Sequence, residues 1–409
     1  VIVEQDIPLV QPPVPAPPLS STPIVFENAR PQFRRLVFRG AMLELITLGI
    51  YRFWLATDIR RHLWHHTSVD GDALEYTGIP KELLYGGLLA LGIFAPIYLI
   101  YFIIGIEAER QQAFASIPFG LFFYLFSQFA FYRARRYRTT RTIWRGVRFW
   151  MTGSGWNYAA RSFGWYILLV LTLGLILPWR DASLERYKMR HSHYGDLQGH
   201  FDGTGWEFFK RGVWLWLLLM VGVVILPIIE FAITRKAIFS GTVMTLGLFF
   251  GGPFLYAAFK AIQWRWWVAG SRFGDVSFAS TIRGKNLFGV YWKVVGWFIL
   301  IFVLVIAAIA GIVTADALLH VGGDNVQQKF MIASQQLHVI IASIVCYVVG
   351  ALMATAVVRI YLIHDIAARV AASTTVYNVA AAENVAARGQ AANAVGEGLA
   401  DSLDISFGF

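Results

Sequence analysis

Apolar residues along this chain gather into eight continuous runs rather than alternating with polar ones. Six are long enough to cross a hydrocarbon core of about 30 Å as helices: about Leu83 to Ile106, Ala113 to Tyr132, Gly212 to Ile233, Ala237 to Phe259, Tyr291 to Ala315 and Leu337 to Ile363. The other two are short, Gly40 to Trp54 and Phe163 to Trp179, and both carry the string Thr-Leu-Gly (Thr47 to Gly49, Thr172 to Gly174) before ending in Trp next to a basic loop. A third Thr-Leu-Gly, Thr245 to Gly247, lies inside a long run. Membrane strands would show period-two alternation, which these runs lack. Helices are therefore expected, because each satisfies its own backbone hydrogen bonds in lipid.

Between the runs, one polar pattern returns. Arg60 to Gly78 aligns without a gap to Arg135 to Gly153, with Arg60, Arg61, Thr67, Gly71, Thr77 and Gly78 matching Arg135, Arg136, Thr142, Gly146, Thr152 and Gly153. Looser copies run from Arg186 to Gly205 and from Arg265 to Gly284. Such self-similarity marks an internally repeated architecture. Residues after the central Gly (73–77, 147–151, 276–280) favour β-branched and aromatic side chains or alternate in polarity, as short strands do. They are expected either to pair into a small sheet under the helices or to lie as separate amphipathic loops in the headgroup zone.

Composition and charge refine this picture. A chain of 409 residues that is 57% hydrophobic and 15% charged is an integral membrane protein by composition. Its formal net charge of +10 sits in the loops, which points to the positive-inside rule and to anionic headgroups rather than to nucleic acid. All four basic loops share one face if the two short runs are re-entrant or interfacial. The expected fold is thus all-α, with six spanning helices, two re-entrant or interfacial segments and strand-containing cytoplasmic loops at 60–78, 135–153, 186–205 and 265–284; eight spanning helices is the alternative. Residues 1–35 read as a Pro-rich cytoplasmic arm, 36–363 as the membrane domain, and 364–409 as an Ala- and Gly-rich cytoplasmic tail whose Glu397, Asp401 and Asp404 suit the protein's own basic loops. The single cysteine, Cys346, excludes an intramolecular disulfide.

Thr47 to Tyr51 with Trp54, then paired arginines, a Thr, Asp70-Gly71 and Tyr76-Thr77-Gly78 resemble the YjgN-like family of bacterial inner-membrane proteins, as does Gly396 to Asp401 near the C-terminus. The resemblance covers most of the chain from Phe38 onward, although Phe53-Trp54 stands where the family usually has Pro-Trp, as in Pro178-Trp179. It implies an inner-membrane location and this architecture. The family is one of unknown function, so the resemblance implies no catalytic residues.

Candidate chemistry is sparse. No phosphate loop, nucleophile elbow, zincin motif or dinucleotide fingerprint occurs, so neither an enzyme nor a cofactor is expected. His62, His65 and His66 have a helical spacing that presents two imidazoles to one metal, but without a full ligand set they read as interfacial histidines. Ionisable groups within apolar runs carry more weight, since they persist at membrane depth when they have a partner or a task. Glu44 is the first candidate for a substrate or ion pathway, with a salt bridge to Arg39 or Arg52 as its structural reading, and Glu230 is the second. Arg60, Arg61, Arg135, Arg136, Arg186 and Arg265 are candidates for headgroup or partner contact. Two functions fit: a carrier or channel for a small solute or lipid, and a non-catalytic scaffold or assembly factor that binds partner proteins, a second copy or anionic lipid.

Overall fold

A computed structural model describes residues 20–110, 116–234, 238–320, 325–389 and 401. Most of the Pro-rich arm, together with Glu397 and Asp404, lies outside the described residues.

The organising element is a ring of eleven strands in the order β3-β2-β1-β11-β10-β9-β8-β7-β6-β5-β4, every neighbouring pair antiparallel. The two ends of that order, β3 (Asp72–Ala73) and β4 (Glu75–Tyr76), are separated in sequence by Leu74 alone. One extended segment therefore pairs with β2 (Thr67–Val69) through its first half and with β5 (Thr142–Trp144) through its second. Thus the sheet nearly closes on itself as a barrel, and closure removes the exposed edges that would otherwise recruit other strands.

Four hairpins build most of the ring, each with a two-residue turn: β2–β3 at Asp70-Gly71, β5–β6 (Val147–Met151) at Arg145-Gly146, β7 (Ser192–Tyr194)–β8 (Leu197–Phe201) at Gly195-Asp196, and β9 (Ser271–Phe273)–β10 (Val276–Ser280) at Gly274-Asp275. In the first two turns both residues have positive φ, and in the last two only the leading Gly does. These are the primed turn geometries whose twist suits hairpins. The fifth place is filled from both ends of the chain, where β1 (Ser21–Phe26) pairs with β11 (Thr374–Tyr377).

A helix feeds each of these five places. α2 (Arg52–His65), α4 (Ser116–Thr140), α6 (Leu177–Arg190), α9 (Ile238–Gly270) and α13 (Ile366–Ala372) run into β2, β5, β7, β9 and β11. At every junction the first Ser or Thr of the strand donates its hydroxyl to the helix carbonyl four residues back: Thr67 to Leu63 (2.8 Å), Thr142 to Arg138 (3.0 Å), Ser192 to Lys188 (2.9 Å), Ser271 to Trp267 (2.8 Å) and Thr374 to Val370 (2.7 Å). Each hydroxyl satisfies one of the carbonyls a helix end leaves open.

Helices also leave the barrel. α1 (Arg30–Ile46) and α5 (Gly155–Leu171) make short excursions that return through α2 and α6, and their tips are the two Thr-Leu-Gly strings. Both tips use one device. Leu48 and Gly49, like Leu173 and Gly174, take positive φ, while Thr47 and Thr172 donate to the preceding helix and accept from the following backbone. Leu48 at such a tip is 94% exposed. The third Thr-Leu-Gly sits within α9, where no turn forms. Longer excursions pair α3 (Pro80–Arg110) with α4, then α7 (Gly205–Met220), a π-helical segment (Val221–Ile225) and α8 (Leu226–Thr234) with α9. The last pairs α10 (Gly284–Leu319) and α11 (Val326–Gln335) with α12 (Leu337–Val357), which reaches α13 through a second π-helical segment (Val358–Asp365).

The all-α expectation is therefore corrected. The connectors and both chain ends form one eleven-stranded ring. Among the described residues three stretches, Pro80–Ile104, Gly284–Leu319 and Leu337–Ala372, are long and apolar enough to cross a membrane, rather than six or eight. One physical reason accounts for part of the difference: α4 turns arginine-rich from Arg133. The strands, of two to six residues, are too short for alternation to distinguish them from loops. Residues after 363, expected as a tail, supply β11 and a 3-10 turn (Val379–Ala382) whose Val379 and Ala382 pack into the barrel core with Trp144, Tyr194, Val276 and Val376.

Candidate functional site

Where the five incoming helices meet the mouth of the barrel, they line a chamber of about 440 Å³. All five junction hydroxyls, of Thr67, Thr142, Ser192, Ser271 and Thr374, lie on its wall. Their protons are committed to helix carbonyls, so each offers the chamber only acceptor lone pairs, and that of Thr142 also accepts from Trp64 Nε1 at 3.0 Å. Between them the wall is apolar and aromatic, with Trp64, Phe149, Trp264, Trp267, Phe273 and Phe278. The barrel core closes it below.

Arg135 is the charged residue on the wall. Among the described residues its one hydrogen bond is to Met189 Sδ at 4.0 Å, a weak acceptor. Beside it, Glu185 accepts from Trp267 Nε1 (3.0 Å) and pairs with Lys188. Burial alone would raise the carboxyl of Glu185, but Lys188, then Arg135, and the two hydrogen bonds outweigh it and hold the group below the usual carboxylate range. The chamber wall thus combines these acceptors and the Thr139 side chain with aromatic faces and one guanidinium.

Several other arginines of the connectors are bonded within the fold. Arg61 and Arg186, each five residues before its junction residue (His66, His191), donate to the carbonyls of Gly78 (2.8 Å) and Gly203 (3.2 Å) after their hairpins. Arg136 and Arg265 occupy the same position on α4 and α9. Arg60 donates to Tyr76 (3.1 Å) and grips the buried Asp401 with both Nη atoms, and Arg138 reaches the same carboxylate at 3.2 Å. Asp401 therefore meets the protein's own basic helices, as its acidity suggests.

Glu44 on α1 is 5% exposed and accepts two hydrogen bonds from Arg359 of the second π-helical segment, at 2.7 and 2.9 Å, not from Arg39 or Arg52. That segment holds α1 a second time through Arg30 and Asp365 (2.9 Å). Glu230 lies in α8, which packs against α9, and is not brought to Glu44. His62, His65 and His66 lie together near the end of α2, with the His62 and His66 rings tilted and their centres 4.1 Å apart, and His65 edge-on to His66. His66 Nδ1 lies 2.7 Å from the His62 carbonyl, and His62 packs on Phe33. Burial first, then His66, His364 and His65, push the His62 imidazole down to about 4. No convergent set of metal donors forms there among the described residues.

An apolar chamber at the barrel mouth, together with three stretches among the described residues that are long and apolar enough to cross a membrane, is compatible with the class of membrane proteins. The chain belongs to the family described as "Bacterial protein of unknown function (DUF898)", whose model matches residues 21–245, more than half its length. This is the family that the Thr-Leu-Gly and Arg-Arg motifs resemble. No curated protein and no solved structure matches the chain.

Proposed function

We propose that this protein is a multi-pass component of the bacterial inner membrane, with barrel and both chain ends on the cytoplasmic side, that carries an amphipathic small molecule of the lipid class in the barrel-mouth chamber. The observation that carries the reading is the chamber itself. Its volume of about 440 Å³ falls in the range of small-molecule sites. Its aromatic wall suits an acyl or ring body, and Arg135 suits an anionic or carbonyl group at the ligand's polar end. The clustering of arginine at the barrel end supports the orientation. The scaffold reading draws less support, because Arg60, Arg61 and Arg186 are already bonded within the protein. Headgroup contact has one favourable surface, at Arg34, Arg35 and Phe38 along α1.

Ala371 lines the chamber, and Ala371→Trp fills it. The test extracts purified wild-type and variant protein for mass spectrometry, then follows transfer of a labelled phospholipid between leaflets of phosphatidylethanolamine/phosphatidylglycerol vesicles. Wild type is expected to retain about one lipid-class molecule per chain and to accelerate transfer; the variant, equally monodisperse, loses both. A wild type that retains nothing and transfers nothing, or a variant that retains as much as wild type, overturns the proposal.

A further inference from the structure

At the opposite end of the helices lies a second constellation. α10 is 36 residues long, about 54 Å at 1.5 Å per residue, so its C-terminal turn stands a full membrane thickness from the barrel. There Asp316 in the last turn of α10 and His320, the residue that caps that helix, meet His338 in the first turn of α12. His320 Nδ1 lies 2.9 Å and His338 Nε2 2.7 Å from Asp316 Oδ1. One ligand atom from each residue falls within 4.8 Å of the other two.

Two features separate this group from an incidental ion cluster. Asp316 is 5% exposed, yet its second oxygen, Oδ2, is buried without a hydrogen-bond partner. A buried oxygen left unpaired is costly, and a cation is the partner its charge calls for. Both imidazoles, in contrast, are about two-thirds exposed, so an ion can enter from water. Two imidazoles and one carboxylate are the donor set of borderline first-row dications.

We propose that Asp316, His320 and His338 form a binding site for a divalent transition-metal ion of the Zn²⁺ class, clipping α10 to α12 on the membrane face away from the barrel. Zn²⁺ holds imidazole nitrogen at about 2.0–2.1 Å and carboxylate oxygen at about 2.0–2.2 Å, which sets tetrahedral donors roughly 3.3 Å apart. The present nitrogen-to-oxygen separations need to open by about half an ångström, within the reach of side-chain rotation. On binding, each ring nitrogen now facing Asp316 turns its lone pair to the metal, with the imidazole proton carried on the other ring nitrogen, and the fourth position is left to water. The inference is independent of the chamber.

The test uses full-length protein without a polyhistidine tag, in lipid nanodiscs, stripped with chelator and titrated with Zn²⁺ by equilibrium dialysis and elemental analysis. Saturation at one ion per chain in the micromolar range is expected. His338→Ala and Asp316→Asn should each weaken binding at least tenfold. If the buried Asp316 variant misfolds, the exposed His320→Ala provides the same comparison. Co²⁺ in the site should give the intense visible bands of a tetrahedral centre. Absence of saturable Zn²⁺ binding, or unchanged binding in the His320→Ala, His338→Ala double variant, overturns the assignment.

Discussion

Glu44→Gln tests whether the acid in the first short hairpin is structural. The wild-type carboxylate takes both Nη atoms of Arg359 at 2.7 and 2.9 Å, and the partners are 5% and 17% exposed at the side chain. Gln can accept from one of those donors but cannot neutralise the guanidinium, and breaking one side of a buried pair costs about 3–5 kcal/mol. An unfolding entropy of about 2.1 cal/mol/K per residue over 409 residues gives about 0.9 kcal/mol/K. The expected loss is then about 3–6 °C in Tm, and more if part of the helical structure survives melting. Tm is read by tryptophan fluorescence in nanodiscs for Glu44→Gln, Arg359→Met and the combination Glu44→Met, Arg359→Met. Each single change should lower Tm by that amount. The double should lie above both, because it removes the stranded charge together with the pair. Singles within 1 °C of wild type, or a double equal to the sum of the singles, would refute the reasoning and return Glu44 to the pathway candidates.

Two further outcomes follow from the same geometry. Asp401→Asn strips the anion from Arg60 and Arg138, so the C-terminal segment should detach more often, and trypsin should cut at Arg388, the last basic residue in the chain, at least tenfold faster than in wild type; equal rates would contradict the tether. For His62, the folded imidazole is held at about 4 by burial and by His66, His364 and His65, below its ordinary 6.5, so the unfolded chain takes up the proton first as pH falls. Stability should be complete above about pH 6.5 and decline towards pH 4, and His62→Gln should flatten that dependence in melts at pH 7.5 and 5; a parallel decline would count against it.

Legibility in the sequence followed the range of the contacts. The four connectors at 60–78, 135–153, 186–205 and 265–284 hold four hairpins, because a two-residue turn needs local chemistry such as Asp70-Gly71 or Gly274-Asp275 that can be read directly. The junction hydroxyls were half visible: Thr67 and Thr142 coincide in the alignment, but Ser192, Ser271 and Thr374 keep the oxygen while the flanking residues change. Glu44 is legible as an acid in an apolar run, but its partner is 315 positions away, whereas the arginines nearest it in sequence are Arg39 and Arg52. Asp316 lies just past the last apolar run assigned before the loop, and His338 is 22 positions on. Nothing in either local pattern joins them.

The place where the sequence misleads most, the region after Ile363, is also where the barrel is completed. β11 lies between β1 and β10, with Val376 opposite Thr22 on one side and Phe278 on the other. Without β11, the ring would open at Phe278 and Ser21, and the chamber would lose the wall that Thr374, Val370 and Ile366 supply. The strand made first can pair with its neighbour β11 only after more than 340 further residues have been made, an extreme of sequence separation that slows folding. The helices and four local hairpins can form beforehand, each with its own turn and junction hydroxyl. Closing the ring is then a late step that joins the chain ends, with Arg30–Asp365 and Glu44–Arg359 holding α1 against the segment that delivers β11. The ion pair weakened in the first experiment thus lies beside the seam of the barrel, and its loss should open the chamber before it melts the helices.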